Sequence, residues 1–369
     1  MNRDMKEDIL NLAQEFVSIP SNPDNTEALA TILNLALSKL SNFTIERFER
    51  NGATSALVYV GPVRPKKFKV LLNGHLDIIP GKPEQYTPVV KGKRLYGVGV
   101  MDMKANLASM LYAFAETAHK VSYPLGLQLV TDEELGGFDG TKYQVEQGVR
   151  ADFVLTSEPT NFDIVYKARG IIWLKISSRG KTAHGAYPWR GENAIWTMHE
   201  FLAALKKQYP IPTKEKWVTT VNVAKIETNN QSLNKIPDDC TVSLDIRYIP
   251  EDTNVLQKIK KLLPKGFSME VLTDEPALDT DSNNSYIQAL QGVSSKILKK
   301  KITKRGAFGS SDARHFGRYK CPGIEFGPIG EGIGSDNEWV DIPSLEKFNT
   351  ILTTFLLELD ISSVPVKKR

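Results

Sequence analysis

Cysteine is almost missing from this chain: Cys240 and Cys321 are the only two in 369 residues. They lie too far apart for metal-finger spacing and are too few for a disulfide framework, so a reducing compartment is implied and the cytoplasm is the expected location. An excess of one charge is missing as well. Lys plus Arg total 47 against 43 Asp plus Glu, and a net charge of +4 gives little electrostatic reason to expect nucleic acid. The most basic run, LKKKITKR at 298–305, falls where a helical pattern gives way to a strand, the usual place of a solvated helix C-terminus. No apolar run approaches the length of a membrane span. The opening segment MNRDMKEDILNLAQEFVSIPS puts Ile9, Leu12, Phe16 and Val17 on one helical face but interrupts them with charge, unlike a signal peptide. Repeats and low-complexity tracts are absent too. What is left, with 41% hydrophobic and 24% charged residues, is a globular chain long enough for two domains. Its expected partner is a small molecule, with neither a membrane nor a nucleic acid involved.

From residue 43 to about 165 strand-like runs (FKVLLNG, LGLQLV, DFVLTS) alternate with helical spacing, as in Leu107, Met110, Leu111 and Phe114 of MKANLASMLYAFAETAH. That alternation predicts a mixed, largely parallel sheet flanked by helices. From about 170 to 274 the order becomes strand, helix, two strands, helix, strand, which fits a smaller α+β two-layer domain. Helix and strand then alternate again, ending in a helix at about 343 to 360. The expected layout is an α/β catalytic domain in two pieces, 1–169 and 275–369, interrupted by an inserted domain at 170–274.

Ligands of open α/β sheets bind beyond the carboxyl ends of the strands. After FKVLLNG come His75 and, in GHLD, Asp77; after LGLQLVT come Glu133 and Glu134; after DFVLTS comes Glu158. Asp102, in GVGVMDMK, stands at the start of the amphipathic helix, where it could simply be an N-cap. Each has an ordinary explanation alone. Together, one histidine and several carboxylates on one rim would repel one another unless cations neutralised them, so a metal site is expected. Imidazole with carboxylate oxygens suits zinc or a similar divalent ion. A carboxylate such as Asp102 can bridge two ions about 3.5 to 4 Å apart. Asp77 fits a group that orients the His75 ring and raises its basicity, and one of the paired glutamates can bind metal while the other stays free as a base.

The motifs GHLDIIP, GVGVMDMKANLASML, TDEELGG, TSEPT, GKTAHGAYP, NKIPDDCTVSLDIR and SSDARHF, in this order along nearly the whole chain, resemble the M20 family of metallopeptidases and deacylases. That group includes succinyl-diaminopimelate desuccinylase, acetylornithine deacetylase and the aminoacylases. The resemblance implies that the insert serves as dimerisation domain or lid and that two Zn2+ are bound, with Co2+ a possible substitute. It implies that His75 and Glu158 hold one ion, Glu134 the other, and Asp102 both, with Asp77 supporting His75 and Glu133 acting as general base. In the insert, His184 matches a residue that reaches a neighbouring subunit's site, which implies a homodimer; as a plain residue it would be a surface histidine in a turn. Asn234 and Arg247 match substrate-binding positions, although Arg247 could instead pair with an acid on a neighbouring strand. His119 and His199 are expected to lie outside the site.

One position departs from the family. In FGPIGEGIGSDNEWV the Asn337–Glu338 pair is in place, but Gly334 stands where the resemblance implies a histidine ligand of the second zinc. A catalytic zinc usually has three protein ligands, so a second ion held by Asp102 and Glu134 alone should bind weakly or not at all. His315, in DARHF, is the nearest substitute in sequence. Three readings stay open: a one-metal or impaired hydrolase, a normal enzyme disabled by an introduced glycine, or a non-catalytic metal- or ligand-binding homodimer. The first is expected, with an N-acyl amino acid deacylase as the activity and a dipeptidase or carboxypeptidase as the alternative.

Overall fold

The computed structural model describes residues 3–359, and side chains from residue 6 onward. The chain divides into two compact units: one runs to Tyr166 and resumes over Asp279–Arg305 and from Ser311, the other comprises Lys167–Leu278 and Gly306–Ser310.

In the larger unit a mixed sheet runs through Thr44–Arg50, Ala53–Tyr59, Leu125–Val130, Phe68–His75, Ala151–Thr156 and Gly323–Glu325 in spatial order. The first three pair antiparallel, whereas Leu125–Val130, Phe68–His75, Ala151–Thr156 and Gly323–Glu325 lie parallel. The parallel strands are apolar on both faces: every residue of Leu125–Val130 is buried, as are all but Lys69 in Phe68–His75. That pattern requires cover on both sides. On one side helix Ala105–Thr117 packs between Arg3–Val17 and Ile342–Glu358. Buried polar groups tie these helices: Ser109 Oγ donates to the Leu345 carbonyl at 2.9 Å, Asn349 Nδ2 to the Ser109 carbonyl at 3.0 Å and Tyr123 Oη to the Leu356 carbonyl at 2.6 Å. The expected mixed, largely parallel sheet with flanking helices is the observed architecture.

A small antiparallel sheet, in the order Gly330–Glu331, Trp339–Asp341, Arg94–Tyr96 and Val89–Lys91, joins two segments far apart in sequence. Residues 332–338, including Gly334, form the loop between its first two strands.

The smaller unit has an antiparallel sheet in the order Thr220–Glu227, Asp239–Tyr248, Gly170–Arg179 and Ser268–Glu275, with helices Ala194–Gln208 and Val255–Lys260. Alternate residues Ile172, Leu174 and Ile176, with Val242, Leu244 and Ile246, share a core with Met198, Phe201, Leu205 and Ile259. This is the period-two burial of a sheet covered on one face. Among the described residues no helix is long and apolar enough to cross a membrane. Cys240 and Cys321 are buried free thiols.

Candidate metal centre

The carboxyl ends of the parallel strands bring the ligand-type side chains together. His75 closes its strand, Glu158 follows Ala151–Thr156 by two residues, and Asp102 arrives from the turn ahead of helix Ala105–Thr117. His75 Nε2, an Asp102 oxygen and a Glu158 oxygen all lie within 4.8 Å of one another. His75 Nε2 is 3.2 Å from Asp102 Oδ1 and 3.8 Å from Glu158 Oε1. Its Nδ1 stands 2.9 Å from the Asp77 carbonyl oxygen and so donates to it, leaving Nε2 of the neutral ring as a lone-pair donor facing two carboxylates. Asp77 thus orients the ring through its backbone, with carboxylate Oδ1 farther off at 3.6 Å. Its other oxygen accepts from the Glu134 amide at 2.8 Å, so one residue steadies both the histidine and the glutamate loop.

Asp102 is not a helix N-cap. It adopts φ −119° and ψ 89° in an elbow that begins at Gly99, and the helix starts only at Ala105. Gly99 has φ +68°, and a Cβ there would lie 2.2 Å from Ile78 Cγ2, so glycine is required on two counts.

Glu133 and Glu134 occupy a single turn after Leu125–Val130. Glu134 Oε1 accepts from the Ile79 amide at 3.2 Å. Gly334 faces the same region, because the nearest atom to a Cβ built on it is Ile79 Cδ1 at 3.8 Å. Its φ is +66° and its side-chain space is open. His315 lies behind the glutamate turn, its Nε2 3.0 Å from the Gly136 carbonyl, and is not part of the His75 cluster.

The electrostatics are those of crowded, desolvated acids. Burial pushes the Glu133 and Glu158 carboxyls well above the usual range; repulsion from Asp102 adds to both, and the His75 charge partly opposes it. Burial, with Asp102 and Asp77, raises Glu134 to about 7. Burial alone would lower His75, but Asp102, Asp77 and Glu158 outweigh it and hold the ring well above its usual value. Glu158 Oε1 and Asp77 Oδ1 are buried without a hydrogen-bond partner. A buried carboxylate oxygen without a donor, opposite an imidazole nitrogen, is what a divalent cation satisfies, and one imidazole with carboxylate oxygens is a donor set for zinc-like ions. The residues present therefore fit a metal at His75, Asp102 and Glu158.

Four supports of this rim escaped the sequence reading. Asp132 Oδ2 accepts from the amides of Asp139 and Gly140 at 2.7 and 3.0 Å, closing the glutamate turn. Arg314, 1% exposed, donates from Nη2 to the Gly136 carbonyl at 2.6 Å, and Asp312 Oδ2 accepts from Thr141 Oγ1 at 2.5 Å. Glu338 receives amides of the Asp102 elbow. TDEELGG and DARHF contain the first three of these, but nothing in their spacing announces a support role.

The remaining expected site residues belong to the smaller unit. His184 and Asn234 lie on touching segments, with the Gly185 amide donating to the Asn234 carbonyl at 2.7 Å. His184 Nδ1 accepts from the Ala186 amide at 3.1 Å, a turn contact. Arg247 Nε pairs with Asp245 Oδ1 at 2.9 Å, an acid of its own strand rather than a neighbouring one. Outside these sites, His119 stacks on Phe43 and His199 packs edge-on to Trp196.

Residues 71–358 match peptidase family M20/M25/M40. A succinyl-diaminopimelate desuccinylase of Pelagibacter ubique is 29% identical over 382 residues, covering 94% of this chain and 97% of that relative. Among solved structures, aminopeptidase PepT of Bacillus cereus superposes with a TM-score of 0.77 at 19% identity, over 95% of this chain and 98% of that one. The YXEP protein of Bacillus subtilis, described as a dinuclear metal-binding peptidase of the M20 family, gives 0.71 at 12% identity, over 96% and 98%. The chain belongs to peptidase family M20/M25/M40 and is a metallohydrolase of amide or peptide bonds.

Proposed function

We propose that the chain is an N-acyl amino acid deacylase, cleaving an amide next to a free carboxylate, with a first metal site at His75, Asp102 and Glu158. Glu134 and Asp102 are the protein ligands left to a second ion, whose binding is weakened by Gly334. The observation that carries this reading is the His75 Nε2 lone pair set 3.2 Å from Asp102 and 3.8 Å from Glu158, whose facing oxygen has no donor. The name of the desuccinylase relative favours the acyl-group form of the reading over the peptidase form.

A bound divalent cation, zinc or cobalt, supplies Lewis acidity that polarises an amide carbonyl and acidifies water. Glu133 is the proton carrier. As a carboxylate it takes a proton from the attacking water, and it then delivers that proton to the amine nitrogen as the C–N bond breaks. Asp77 keeps His75 in one tautomer by accepting its Nδ1 proton at the backbone carbonyl. In the smaller unit, Asn234 and the Arg247 fork bind the substrate carboxylate, which competes with Asp245 for the guanidinium. His184, supplied by a second copy of the chain in a homodimer, stabilises the oxyanion.

A panel of N-succinyl and N-acetyl amino acids and dipeptides, assayed with added Zn2+ or Co2+, tests the proposal. Faster turnover of an N-acyl amino acid than of any dipeptide is expected. Preference for dipeptides would make the chain a dipeptidase or carboxypeptidase, and metal binding with no turnover of any class would favour the binding protein.

A further inference from the structure

The 332–338 loop carries a glycine where a ligand is expected, yet its far end makes a dense set of contacts with the first site. Glu338 is 3% exposed, and its carboxylate accepts three amides of the Asp102 elbow. Oε2 lies 3.0 Å from the Gly99 nitrogen, and Oε1 lies 2.8 Å from that of Met101 and 3.2 Å from that of Asp102. The Gly97 amide donates to the Glu338 backbone carbonyl at 3.3 Å, extending the same contact along the chain.

The small antiparallel sheet explains why a residue more than 200 positions away reaches the elbow. Trp339 pairs with Tyr96 and Val340 with Leu95, so Glu338 is brought alongside Gly97 as the chain leaves the sheet for Gly99. Arg94 stacks on the Trp339 ring at 3.7 Å and reinforces that register. The elbow needs such a partner. Residues 99–102 turn three amides toward one carboxylate in a π-type turn, Val100–Lys104, whose dihedrals at Asp102 and Met103 are non-helical, and buried amides without acceptors are costly. A carboxylate meets them with charge-assisted bonds.

We infer that Glu338 is a positioning residue for the metal centre: by accepting the amides of Gly99, Met101 and Asp102 it fixes where the Asp102 carboxylate stands relative to His75 and Glu158. This inference rests on the metal reading above and deepens it. It assigns the loop a second duty, independent of the ligand replaced by Gly334, namely holding the first site in shape. Glu338 touches neither substrate nor ion. A neutral amide in its place keeps the shape but turns an N–H₂ group toward backbone N–H groups.

The test compares the wild-type chain with Glu338→Gln in Co2+ titrations followed by visible absorption. Amide exchange of the peptide spanning 97–104 and thermal melting are measured in parallel. The inference predicts a folded variant with Co2+ affinity lowered about ten- to one-hundredfold, the range for groups that orient metal ligands, an altered cobalt spectrum, and faster exchange at 99–102. Should Glu338→Gln fail to fold, Glu338→Asp keeps the charge but shortens the reach, and the same loss of affinity and change of spectrum are predicted. A folded variant with wild-type affinity, spectrum and exchange overturns this inference alone. So does a variant that only melts lower while binding Co2+ as before. Wild-type protein that binds no Co2+ overturns the metal reading and this inference with it.

Discussion

At the scale of single residues, the proposed mechanism separates groups that hold an ion from one that moves a proton. Burial raises the Glu133 carboxyl above its usual range; the His75 charge opposes this and Asp312, Asp102 and Asp77 add to it, which moves the group toward one that can both take and return a proton. Glu133→Gln is therefore expected to lower kcat by about 10²- to 10⁴-fold, with metal content unchanged by elemental analysis. Gly334 makes the opposite prediction. Its φ of +66° strains any side chain, by about 1–2 kcal/mol, but the space is open with Ile79 Cδ1 at an ordinary 3.8 Å. Gly334→His should therefore fold, lose that small amount of stability in urea titration, and raise bound Zn2+ toward two per chain. Activity rising with the second ion would mark a disabled enzyme; the ion without turnover would mark a binding protein.

At the scale of elements, the strand ends were legible and the elbow was not. His75 and Glu158 each follow a short apolar run, and the rule that ligands gather beyond the carboxyl ends of parallel strands places them on one rim. The alternation of buried residues in the smaller unit was legible for a similar local reason, a period of two along each strand. Asp102 is different. Helical spacing begins just after it, so an N-cap is the natural local reading, while its position depends on Gly99 and on Glu338, some 236 residues away. No periodicity encodes a contact of that range, and the same holds for Arg314 on Gly136. The elbow predicts its own weak point. Gly99→Ala must accommodate both a positive φ and a 2.2 Å approach to Ile78 Cγ2, and should cost about 1–3 kcal/mol. Equilibrium unfolding measures that loss, and metal retention should fall with it because Asp102 rides on the elbow.

At the scale of the whole molecule, two units with separate cores share one chain, and the candidate ligands all belong to the larger. A cation that binds the folded larger unit stabilises it by mass action, about 2.7 kcal/mol at one hundred times its dissociation constant. Calorimetry should show the transition of that unit rising with added Zn2+ and falling back with chelator. The homodimer expected from the role assigned to His184 should appear in sedimentation velocity at micromolar protein; a monomer there would remove that role and leave the first site untouched. The central claim is that His75, Asp102 and Glu158 together hold a divalent ion. Elemental analysis of the dialysed wild-type chain beside His75→Ala tests it most directly. The account predicts close to one tightly held divalent ion per wild-type chain and almost none in the variant, whereas no metal in either, or equal metal in both, would contradict it.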